Sequence, residues 1–360
     1  MNAPALDRAD LRARVEKSLG AFLSRQRERL AAIDDALVPI AQLVEAFVLR
    51  GGKRLRPAFA YWGYRAAGGI DADAVVASLA ALELVQASAL IHDDVMDDSD
   101  TRRGEPAVHR RSAAVHRREG WLGDAEAFGT ATAILLGDLC LVWSDELLHS
   151  GGLDPATLAR ARPVFDEMRT EVTVGQYLDM HAQATGDTSL ARASLVARYK
   201  SGKYTVERPL LLGAAVAGAP PEVMKAYSGY GLPLGEAFQL RDDVLGVFGD
   251  PAITGKPAGD DLREGKRTYL VAAAFEAVDK AGDKAGRDLL RDRLGDMTLD
   301  DAGVAALREI IMTSGALART EARIAELTES ALAALRTVEL DAEGASVLVE
   351  LAGAATRRAG

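Results

Sequence analysis

The sequence predicts an all-α protein, and three observations support this fold class. Apolar residues recur at spacings of three and four, with almost none of the alternation that is typical of β-strands. Ala, Leu, Glu and Arg, which are common in helices, dominate the 360 residues. Gly and Pro are grouped between apolar segments, as at Gly51-Gly52 and in Gly249–Gly259, where helices are expected to end.

The first part of the chain is predicted to form four helices and a loop. Three of the helices are expected at about 7–34, 36–49 and 54–67. Asp71 or Asp73 is expected to cap a long fourth helix that leads into a run of aspartates. The segment 104–126 is polar, basic and contains Gly, and it is predicted to be a loop.

The second part of the chain is predicted to continue as helices. They are expected at about 127–149, 155–184, 189–217, 221–247 and 265–279, with three or four shorter helices within 282–358. Length alone would suggest roughly two domains.

The composition argues against several classes of function. Lys and Arg total 43 against 53 for Asp and Glu, which gives a formal charge of −10. This charge argues against nucleic acid as the main partner, because the phosphate backbone binds to basic surfaces. The single cysteine, Cys140, excludes a disulfide framework and a cysteine-based zinc site, and it fits a reducing cytoplasm.

Neither a signal peptide nor a transmembrane segment is predicted. The N-terminal residues lack the apolar core of a signal peptide. No run of about 18 uncharged apolar residues occurs. We therefore expect a soluble, cytoplasmic protein, which would have to hold any substrate with an apolar tail inside its fold or at its surface.

The stretch from Ser88 to Arg103 is the most informative part of the sequence. It contains five aspartates, at positions 93, 94, 97, 98 and 100. Asp93 and Asp97 lie four residues apart, so on a helix both project from one face. Carboxylates without His or Cys suit Mg²⁺, which usually keeps several waters and is shared with a substrate phosphate. Arg102 and Arg103 could bind that phosphate, although an acidic run alone is as readily a solvated helix end.

Two further motifs have a similar character. The segment 51–57, GGKRLRP, combines two flexible glycines with three cations, which could form a local anion site. Asp242 and Asp243 follow a second apolar helix, and a Gly-rich loop with Lys256 comes next, before Lys266. Each motif by itself could equally be a basic helix start or an ordinary helix-terminal turn.

Other polar residues give weaker signals. Lys200 and Lys203 lie in an apolar stretch, where lysine side chains usually extend to water. Gln176 and Asp179 are three residues apart and could face one cavity. His92 is expected to be structural, and the five histidines show no spacing typical of a metal site.

Together these motifs make the sequence resemble the trans-isoprenyl diphosphate synthases, the polyprenyl synthetase family. The resemblance covers about 35–335 and rests on ordered motifs: GGKRLRP, DDVMD with a later RRG, YKSGK, the second Asp-Asp pair and TGKPAGDDLREGK. It implies a single domain over 1–360, a helical bundle or barrel of the isoprenoid synthase type with a central apolar cavity. Residues 1–34 and 336–360 would add an N-terminal and a C-terminal helix.

The resemblance also implies roles for individual residues. Three Mg²⁺ ions are expected with substrate bound, and their ligands would be Asp93, Asp97 and Asp242. Catalysis would further depend on Asp94, Arg102 and Lys200. Isopentenyl diphosphate would be bound by Lys53, Arg56, Gln86 and Arg103. The allylic diphosphate would be bound by Arg102, Lys200, Ser201, Gln239, Lys256 and Lys266.

Two positions depart from the family pattern. Gly246 stands where many relatives have a third aspartate, and Ser201 follows Lys200 where a Thr is usual. Ser201 keeps the hydroxyl. We expect Gly246 to be tolerated, because Asp242 keeps the leading position and Asp261 could support the site through water.

The implied reaction joins isopentenyl diphosphate to an allylic diphosphate. Mg²⁺ and cationic side chains would stabilise the departing diphosphate, which leaves an allylic carbocation. The double bond of isopentenyl diphosphate would attack this cation, and a proton would then be lost to the released diphosphate. Water must be excluded, because it would convert the cation into an alcohol.

Product length is predicted from the residues that precede Asp93. Ala89, Ser88 and Val85 lie four, five and eight positions earlier, on the face along which the chain would grow. Farnesyl-specific relatives usually carry an aromatic ring at the first or second of these positions, whereas both are small here. We therefore expect a product of C20 or longer, in first place geranylgeranyl diphosphate. The floor of the tunnel could be formed by Phe59, Tyr61, Trp62, Tyr64 or Trp143.

Several alternatives stay open at this point. A farnesyl or a longer-chain polyprenyl diphosphate synthase would differ only in product length. A non-catalytic partner subunit typically lacks one aspartate motif, and Gly246 is the one feature in its favour. A class I terpene cyclase would need a different second metal motif and no isopentenyl diphosphate site. Because the family usually forms homodimers, a homodimer is expected.

Overall fold

Seventeen α-helices, a π-helix and a β-hairpin form most of residues 8–250 and 259–357, the parts of the chain that the computed structural model describes. The first helices are α1 (Leu11–Ala31), α2 (Val38–Leu49), α3 (Leu55–Ala66), α4 (Asp73–Leu79), α5 (Ala81–Met96), α6 (Val108–Glu119) and α7 (Ala125–Ser150). The next are α8 (Pro155–Thr185), α9 (Leu190–Val196), α10 (Arg208–Ala217), α11 (Pro221–Phe248), α12 (Asp260–Arg263), α13 (Tyr269–Ala281), α14 (Lys284–Arg293), α15 (Asp301–Thr313), α16 (Ala316–Leu335) and α17 (Ala342–Thr356). The π-helix, Ala197–Glu207, joins α9 to α10, and the hairpin pairs β1 (Thr101–Arg102) with β2 (Glu105–Pro106). The all-α prediction is confirmed.

Helix α11 runs through both hydrophobic cores of the protein. Its first half packs in the larger core, where Tyr227, Tyr230 and Leu234 are buried among side chains of α1, α3–α5, α7, α10 and α17. Its second half packs in the smaller core, where Leu240 and Val247 are buried among side chains of α13–α16. Burying one large apolar side chain stabilises the folded state by about 1.5–3 kcal/mol relative to leaving it exposed to water. Both halves of α11 are therefore firmly anchored in the cores.

The prediction of a loop over 104–126 is wrong, because α6 lies within this segment. The buried residues of α6, which packs against α7, are Val108, His109, Ser112, Ala113 and His116. Three of these five are His or Ser, so the apolar periodicity of the helix is weak and the segment looks polar. Gly120 ends the helix with a φ of 64°.

The predicted fourth helix is divided at Ala80 into α4 and α5, and neither aspartate caps it. The N-cap residue of α4 is Ala72, and Asp73 is the first helical residue. Asp71 and Asp73 instead accept hydrogen bonds from Arg14 of α1, each at 2.8 Å. The two carboxylates therefore tie this helix to α1.

The helix predicted at 189–217 contains the eleven-residue π-helix. Helices α8 and α11 approach the π-helix closely on two sides. A Cβ on Gly175 of α8 would lie 2.3 Å from the backbone nitrogen of Lys200. A Cβ on Gly202 would lie 2.9 Å from the carbonyl carbon of Gly235 on α11. The two glycines therefore let α8 and α11 pack closely on the π-helix, and helix propensity alone does not reveal this conformation.

The other predicted helices agree with the structure within a few residues. The helix expected at 265–279 is α13, which begins at Tyr269 and is preceded by the short α12. Four helices fill 282–358 as expected. Most of the predicted loop Gly249–Gly259 lies outside the described residues.

Within the described ranges 8–250 and 259–357, two helical stretches are long and apolar enough to cross a membrane, judged by length and composition only: Asp73–Met96 and Ala125–Ser150. Each contains charged residues, which is why neither appears as an uncharged run in the sequence. The first stretch is 72% buried inside the protein, as a core helix would be. The second is only 28% buried, so α7 presents an exposed apolar face.

Candidate active site

Helices α5, α8, α9 and α11, together with the π-helix and α12, surround a cavity of about 710 Å³, which we call the charged cavity. Its walls bring together eight of the residues predicted from the sequence: Lys53, Asp93, Arg102, Lys200, Ser201, Gln239, Asp242 and Lys266. The first and the last of these residues, Lys53 and Lys266, are 213 positions apart in the chain, so it is the fold that brings them together. Lys256 lies outside the described residues.

Asp93 receives positive charge from several sides. The Nζ atom of Lys200 lies 3.2 Å from Oδ1 of Asp93, and Arg102 lies 3.4 Å from Oδ2. Burial would raise the pKa of the Asp93 carboxyl, but the charges of Lys200, Lys266 and Arg102 lower it to about 2. Asp93 is therefore ionised throughout the physiological pH range.

Asp97, one turn further along, faces Lys266. The Nζ atom of Lys266 lies 3.4 Å from Oδ2 of Asp97 and 3.5 Å from Oδ1 of Asp261. Burial, and then the charge of Asp93, raise the pKa of Asp97 above its ordinary value. The first aspartate motif thus carries two carboxylates of unequal acidity on one helix face.

Asp94 has a different position from its neighbours. Its side chain is fully buried and accepts a hydrogen bond from Nε of Arg102 at 2.7 Å. Arg102 lines the charged cavity, whereas Asp94 does not. Asp94 therefore acts on the site by orienting Arg102.

The second acidic motif forms the opposite wall. Asp242 lines the charged cavity, and the buried Asp243 accepts a hydrogen bond from Gln239 at 2.7 Å. Burial, followed by the nearby carboxylates of Asp261 and Asp242, raises the pKa of Asp243 to about 8. Asp243 is therefore largely protonated at neutral pH, whereas Asp242 lies beside it in the wall of the charged cavity.

The second acidic motif is also fastened to the end of the chain. Arg241 donates hydrogen bonds to both carboxylate oxygens of Glu321 on α16, each at 2.6 Å. Its Nε donates to the carbonyl oxygen of Thr356 on α17 at 2.9 Å. The position of Asp242 therefore depends on the last two helices.

The carboxylates fit a metal ion that is shared with a ligand. Asp93 and Asp97 lie on α5, and Asp242 lies on α11. Among the described residues, no group of three or more Asp, Glu, His or Cys side chains is close enough to hold an ion alone. An oxygen-only donor set divided between two helices fits Mg²⁺, which would complete its shell with phosphate oxygens and water.

The segment 51–57 lies against Arg103. Gly52 has a φ of 91°, and a Cβ there would lie 3.6 Å from a terminal nitrogen of Arg103. Arg54 is buried, and its guanidinium lies 2.6 Å from the carboxylate of Glu83 on α5. This buried ion pair fixes the loop against α5, so that Lys53 and Arg103 flank the same glycine.

The π-helix supplies a second anchor for this region. The guanidinium of Arg56 lies 4.1 Å from the ring centre of Tyr204 and donates to Oγ1 of Thr205 at 2.9 Å. The hydroxyl of Tyr204 donates to Gln86 at 2.5 Å. Arg56 and Gln86, both predicted from the sequence, are therefore held by residues that were not predicted.

A second cavity of about 420 Å³, which we call the apolar cavity, lies against α5. Val85, Ser88 and Ala89 line it, and Leu141, Val172 and Met180 form part of the opposite side. It shares Asp93, Lys200 and Ser201 with the charged cavity, so the two cavities adjoin. None of the aromatic residues suggested for the floor of the tunnel lines it.

Several functional candidates were missed or only weakly indicated by the sequence. Asp179 binds Nζ of Lys200 at 2.6 Å and lines the charged cavity. Its spacing to Gln176, which lines the apolar cavity, was the only available signal. Glu83 and Tyr204 gave no signal at all, because each is a single residue within an apolar helical pattern.

The chain is similar to known proteins over most of its length. The polyprenyl synthetase family model matches residues 38–310. A geranylfarnesyl diphosphate synthase from Aeropyrum pernix is 36% identical over 303 residues, which is 83% of this chain and 87% of that protein. A (2E,6E)-farnesyl diphosphate synthase from Mycobacterium tuberculosis is 34% identical over 267 residues, 73% of this chain and 68% of that protein.

The similarity extends to the three-dimensional structure. The crystal structure of a geranylgeranyl pyrophosphate synthase from Corynebacterium glutamicum superimposes with a TM-score of 0.93 at 44% identity, and it covers 96% of this chain and 98% of that one. That protein was crystallised with isoprenyl diphosphate and magnesium. The similar proteins therefore share a fold while their names span three product lengths.

Proposed function

Because this chain belongs to the polyprenyl synthetase family and is a trans-prenyltransferase, we propose that it condenses isopentenyl diphosphate with an allylic diphosphate to a product of C20 or longer. The observation that carries the proposal is the junction of the two cavities. A charged cavity that suits diphosphates adjoins an apolar cavity that suits a hydrocarbon chain, and Asp93, Lys200 and Ser201 lie at their boundary.

Isopentenyl diphosphate is assigned to the pocket beside the segment 51–57. Lys53, Arg56 and Arg103 supply positive charge, and Gln86 can donate an amide hydrogen to a phosphate oxygen. Burial lowers the pKa of Arg103 from its ordinary value, because the charged guanidinium has lost part of its hydration. A bound anion would stabilise this charge.

The allylic diphosphate is assigned to the charged cavity. Arg102, Lys200, Gln239 and Lys266 would bind its oxygens, with Ser201 beside them, and Lys256 would join from the segment that is not described. Asp93, Asp97 and Asp242 would hold Mg²⁺, for which we expect three ions with substrate bound. When bound, Mg²⁺ neutralises the charge that develops on the departing diphosphate.

The residues of the chain then serve the reaction in three ways. Lys200 and Arg102 hold the diphosphate while the C–O bond breaks, because both cations already face this point. The walls of the apolar cavity keep the allylic cation away from water. No side chain is assigned as a base, and the proton passes to the released diphosphate.

The size of the residues on α5 supports a product of C20 or longer. Ser88 and Ala89 line the apolar cavity with small side chains, so no ring blocks it one turn below Asp93. Geranylgeranyl diphosphate is the product that we expect.

We propose that the chain forms a homodimer and that the exposed face of α7 and α8 is the interface. Large apolar side chains are exposed there: Phe128, Ile134, Leu135, Val142, Val174, Tyr177 and Met180. Exposed large apolar side chains that are grouped on a surface often mark a contact with another chain. A second copy of the same chain would cover this face. We expect the dimer to be cytoplasmic.

A product assay tests the proposed function. The purified chain is incubated with Mg²⁺, isopentenyl diphosphate and, separately, the C5, C10 and C15 allylic diphosphates. The products are dephosphorylated and sized by chromatography, and a C20 alcohol is expected. A C15 product would contradict the chain-length argument, and a cyclic hydrocarbon or no condensation would contradict the prenyltransferase assignment.

A further inference from the structure

Arg169 lies against the apolar cavity, and no step of the proposed reaction uses it. Among the described residues, the Lys and Arg side chains that line this cavity are Arg56, Lys200 and Arg169. Arg56 and Lys200 are assigned to the diphosphates. A charged side chain beside hydrocarbon is unfavourable, because hydrocarbon cannot replace the water around the charge. The position of Arg169 therefore needs a separate explanation.

Arg169 lies at the far end of the apolar cavity. Lys200 binds Asp93 at 3.2 Å and Asp179 at 2.6 Å, so these two carboxylates lie at one level, where the two cavities meet. Arg169 precedes Asp179 by ten residues and is the first residue of α8 that lines the apolar cavity. Because each helical residue adds about 1.5 Å, Arg169 lies about 15 Å below that level along the helix axis.

The guanidinium of Arg169 is held from three sides. It lies 3.3 Å from Oδ1 of Asp145 on α7, and it donates a hydrogen bond to Asp166 on α8. It also lies 4.7 Å from the ring centre of Phe165, which is fully buried. Two carboxylates and an aromatic ring therefore fix this side chain between α7 and α8.

Arg169 separates the far end of the cavity from water. Its side chain is only 23% exposed, whereas its partners Asp145 and Asp166 are half-exposed at the protein surface. One side of Arg169 thus borders the apolar cavity, and the other side borders solvent. The methylene groups of an arginine can cover apolar space while its guanidinium stays hydrated. A shorter side chain at this position would leave the cavity open at this end.

We propose that Arg169 is the floor of the apolar cavity, the residue at which the growing hydrocarbon chain stops. The inference rests on the proposed function and deepens it, since it names a residue that limits the length of the product. A chain that reached Arg169 would have to push the guanidinium away from Asp145 and Asp166. The small side chains of Ser88 and Ala89 let the chain pass the first turn below Asp93, and Arg169 ends its growth further down.

A product assay with Arg169→Ala tests this floor. We expect a product at least one C5 unit longer than that of the wild type, sized by chromatography after dephosphorylation. Arg162→Ala is the matched control, because Arg162 lies on the same helix and 3.5 Å from Asp166 but does not line the apolar cavity. Its product should match that of the wild type. An unchanged product of active Arg169→Ala, or the same lengthening in both variants, would overturn the inference.

A double variant tests whether the effect arises inside the cavity. In S88F/R169A the ring at position 88 lies between Asp93 and the removed floor. The product should therefore be as short as that of Ser88→Phe alone. A long product from the double variant would mean that Arg169 acts on product length by another route, and this result would overturn the inference.

Asp145→Asn weakens one contact of Arg169 and keeps the side chain of Arg169 itself. We expect a longer product beside the main one, because the guanidinium is then more easily displaced. Circular dichroism verifies the folding of each variant. If Arg169→Ala does not fold, Asp145→Asn decides the question, and an unchanged product of this variant overturns the inference. A wild-type chain that condenses no substrate would instead contradict the proposed function.

Discussion

The Nζ atom of Lys200 lies 3.2 Å from Oδ1 of Asp93, so that an ammonium group of the π-helix faces the first aspartate of α5. Burial would lower the pKa of Lys200, but the charges of Asp93 and Asp179 raise it above its ordinary value. Each partner thus keeps the other ionised. The pair marks the point where the charged and apolar cavities meet, which is where a C–O bond would have to break.

Loss of the Asp93 charge should abolish catalysis without unfolding the protein. We expect Asp93→Asn to reduce turnover by about 10³-fold or more, because the variant loses a proposed metal ligand and the partner of Lys200. Asp98→Asn is the matched control. Asp98 is exposed, its carboxylate accepts a hydrogen bond from Arg110 at 2.9 Å, and its φ of 52° is one that Asn tolerates. Near-normal turnover of Asp93→Asn would contradict the metal assignment.

A ring at position 88 should shorten the product. Ser88 is buried and lines the apolar cavity, so in Ser88→Phe the aromatic side chain would fill the space one turn from Asp93. The expected product is C15, sized by chromatography after dephosphorylation. Ser88→Ala should leave the product unchanged. If Ser88→Phe still forms C20, the growing chain does not pass this residue.

The two adjacent arginines should affect different substrates. Arg103→Gln is expected to raise the KM for isopentenyl diphosphate about 10- to 100-fold, because a hydrogen bond to a charged group contributes about 1.5–3 kcal/mol. Arg102→Gln should chiefly affect the allylic substrate and kcat, because Arg102 lies beside Asp93. Initial rates with each substrate varied in turn provide the measurement. The same pattern in both variants would refute the separate assignments.

The buried His109 should make the fold sensitive to acid. Burial lowers the pKa of His109 from its ordinary value of 6.5, and neither ring nitrogen has a hydrogen-bond partner among the described residues. The unfolded chain therefore binds this proton more readily than the folded chain. Stability is fully present above about pH 6.5 and is lost as the pH falls through the lower pKa of the folded state.

Replacing His109 by Leu should remove this part of the pH dependence. Urea unfolding between pH 5 and pH 8 would give the free energy of unfolding for His109→Leu and for the control His92→Gln. His92 is only half-buried and contacts the carbonyl oxygen of Ile134 at 3.1 Å. If the free energy of unfolding of His109→Leu falls below pH 6.5 with the same slope as that of the wild type, the acid sensitivity belongs to other groups.

A charge on the apolar face of α7 should disrupt the proposed homodimer. Leu135 is 64% exposed, so Leu135→Glu should not disturb the fold of one chain. We expect light scattering to give the mass of a dimer for the wild type and of a monomer for this variant. Met297→Glu, at an equally exposed apolar residue near α14, should remain dimeric. A monomeric wild type would contradict the proposal directly.

The sequence predicted most of the helices and most of the charged residues, for identifiable reasons. Long apolar helices such as α8 and α11 have a strong period, and the charged motifs lie at helix ends, where Gly and Pro mark the boundaries. The sequence did not predict α6, because three of its five buried residues are His or Ser. Nor did it predict the π-helix, because helix propensity and apolar spacing do not distinguish a π-helix from an α-helix.

The supports of the site were less predictable than the site itself. Glu83, Tyr204 and Asp179 hold Arg54, Gln86 and Lys200, and each of these contacts joins two different elements of the fold. Such a residue has no local pattern. Its partner is decided by tertiary packing. The spacing of residues within one helix carries no information about that packing.

The contacts of Arg241 have a consequence for the synthesis of the protein on the ribosome. Arg241 is bound by Glu321 and by the carbonyl oxygen of Thr356, so the neighbouring Asp242 reaches its final position only after the last helix has been translated. A nascent chain that already contains both aspartate motifs would still lack one wall of the site. A chain released before α16 and α17 are translated would therefore lack both contacts that hold Arg241 beside Asp242.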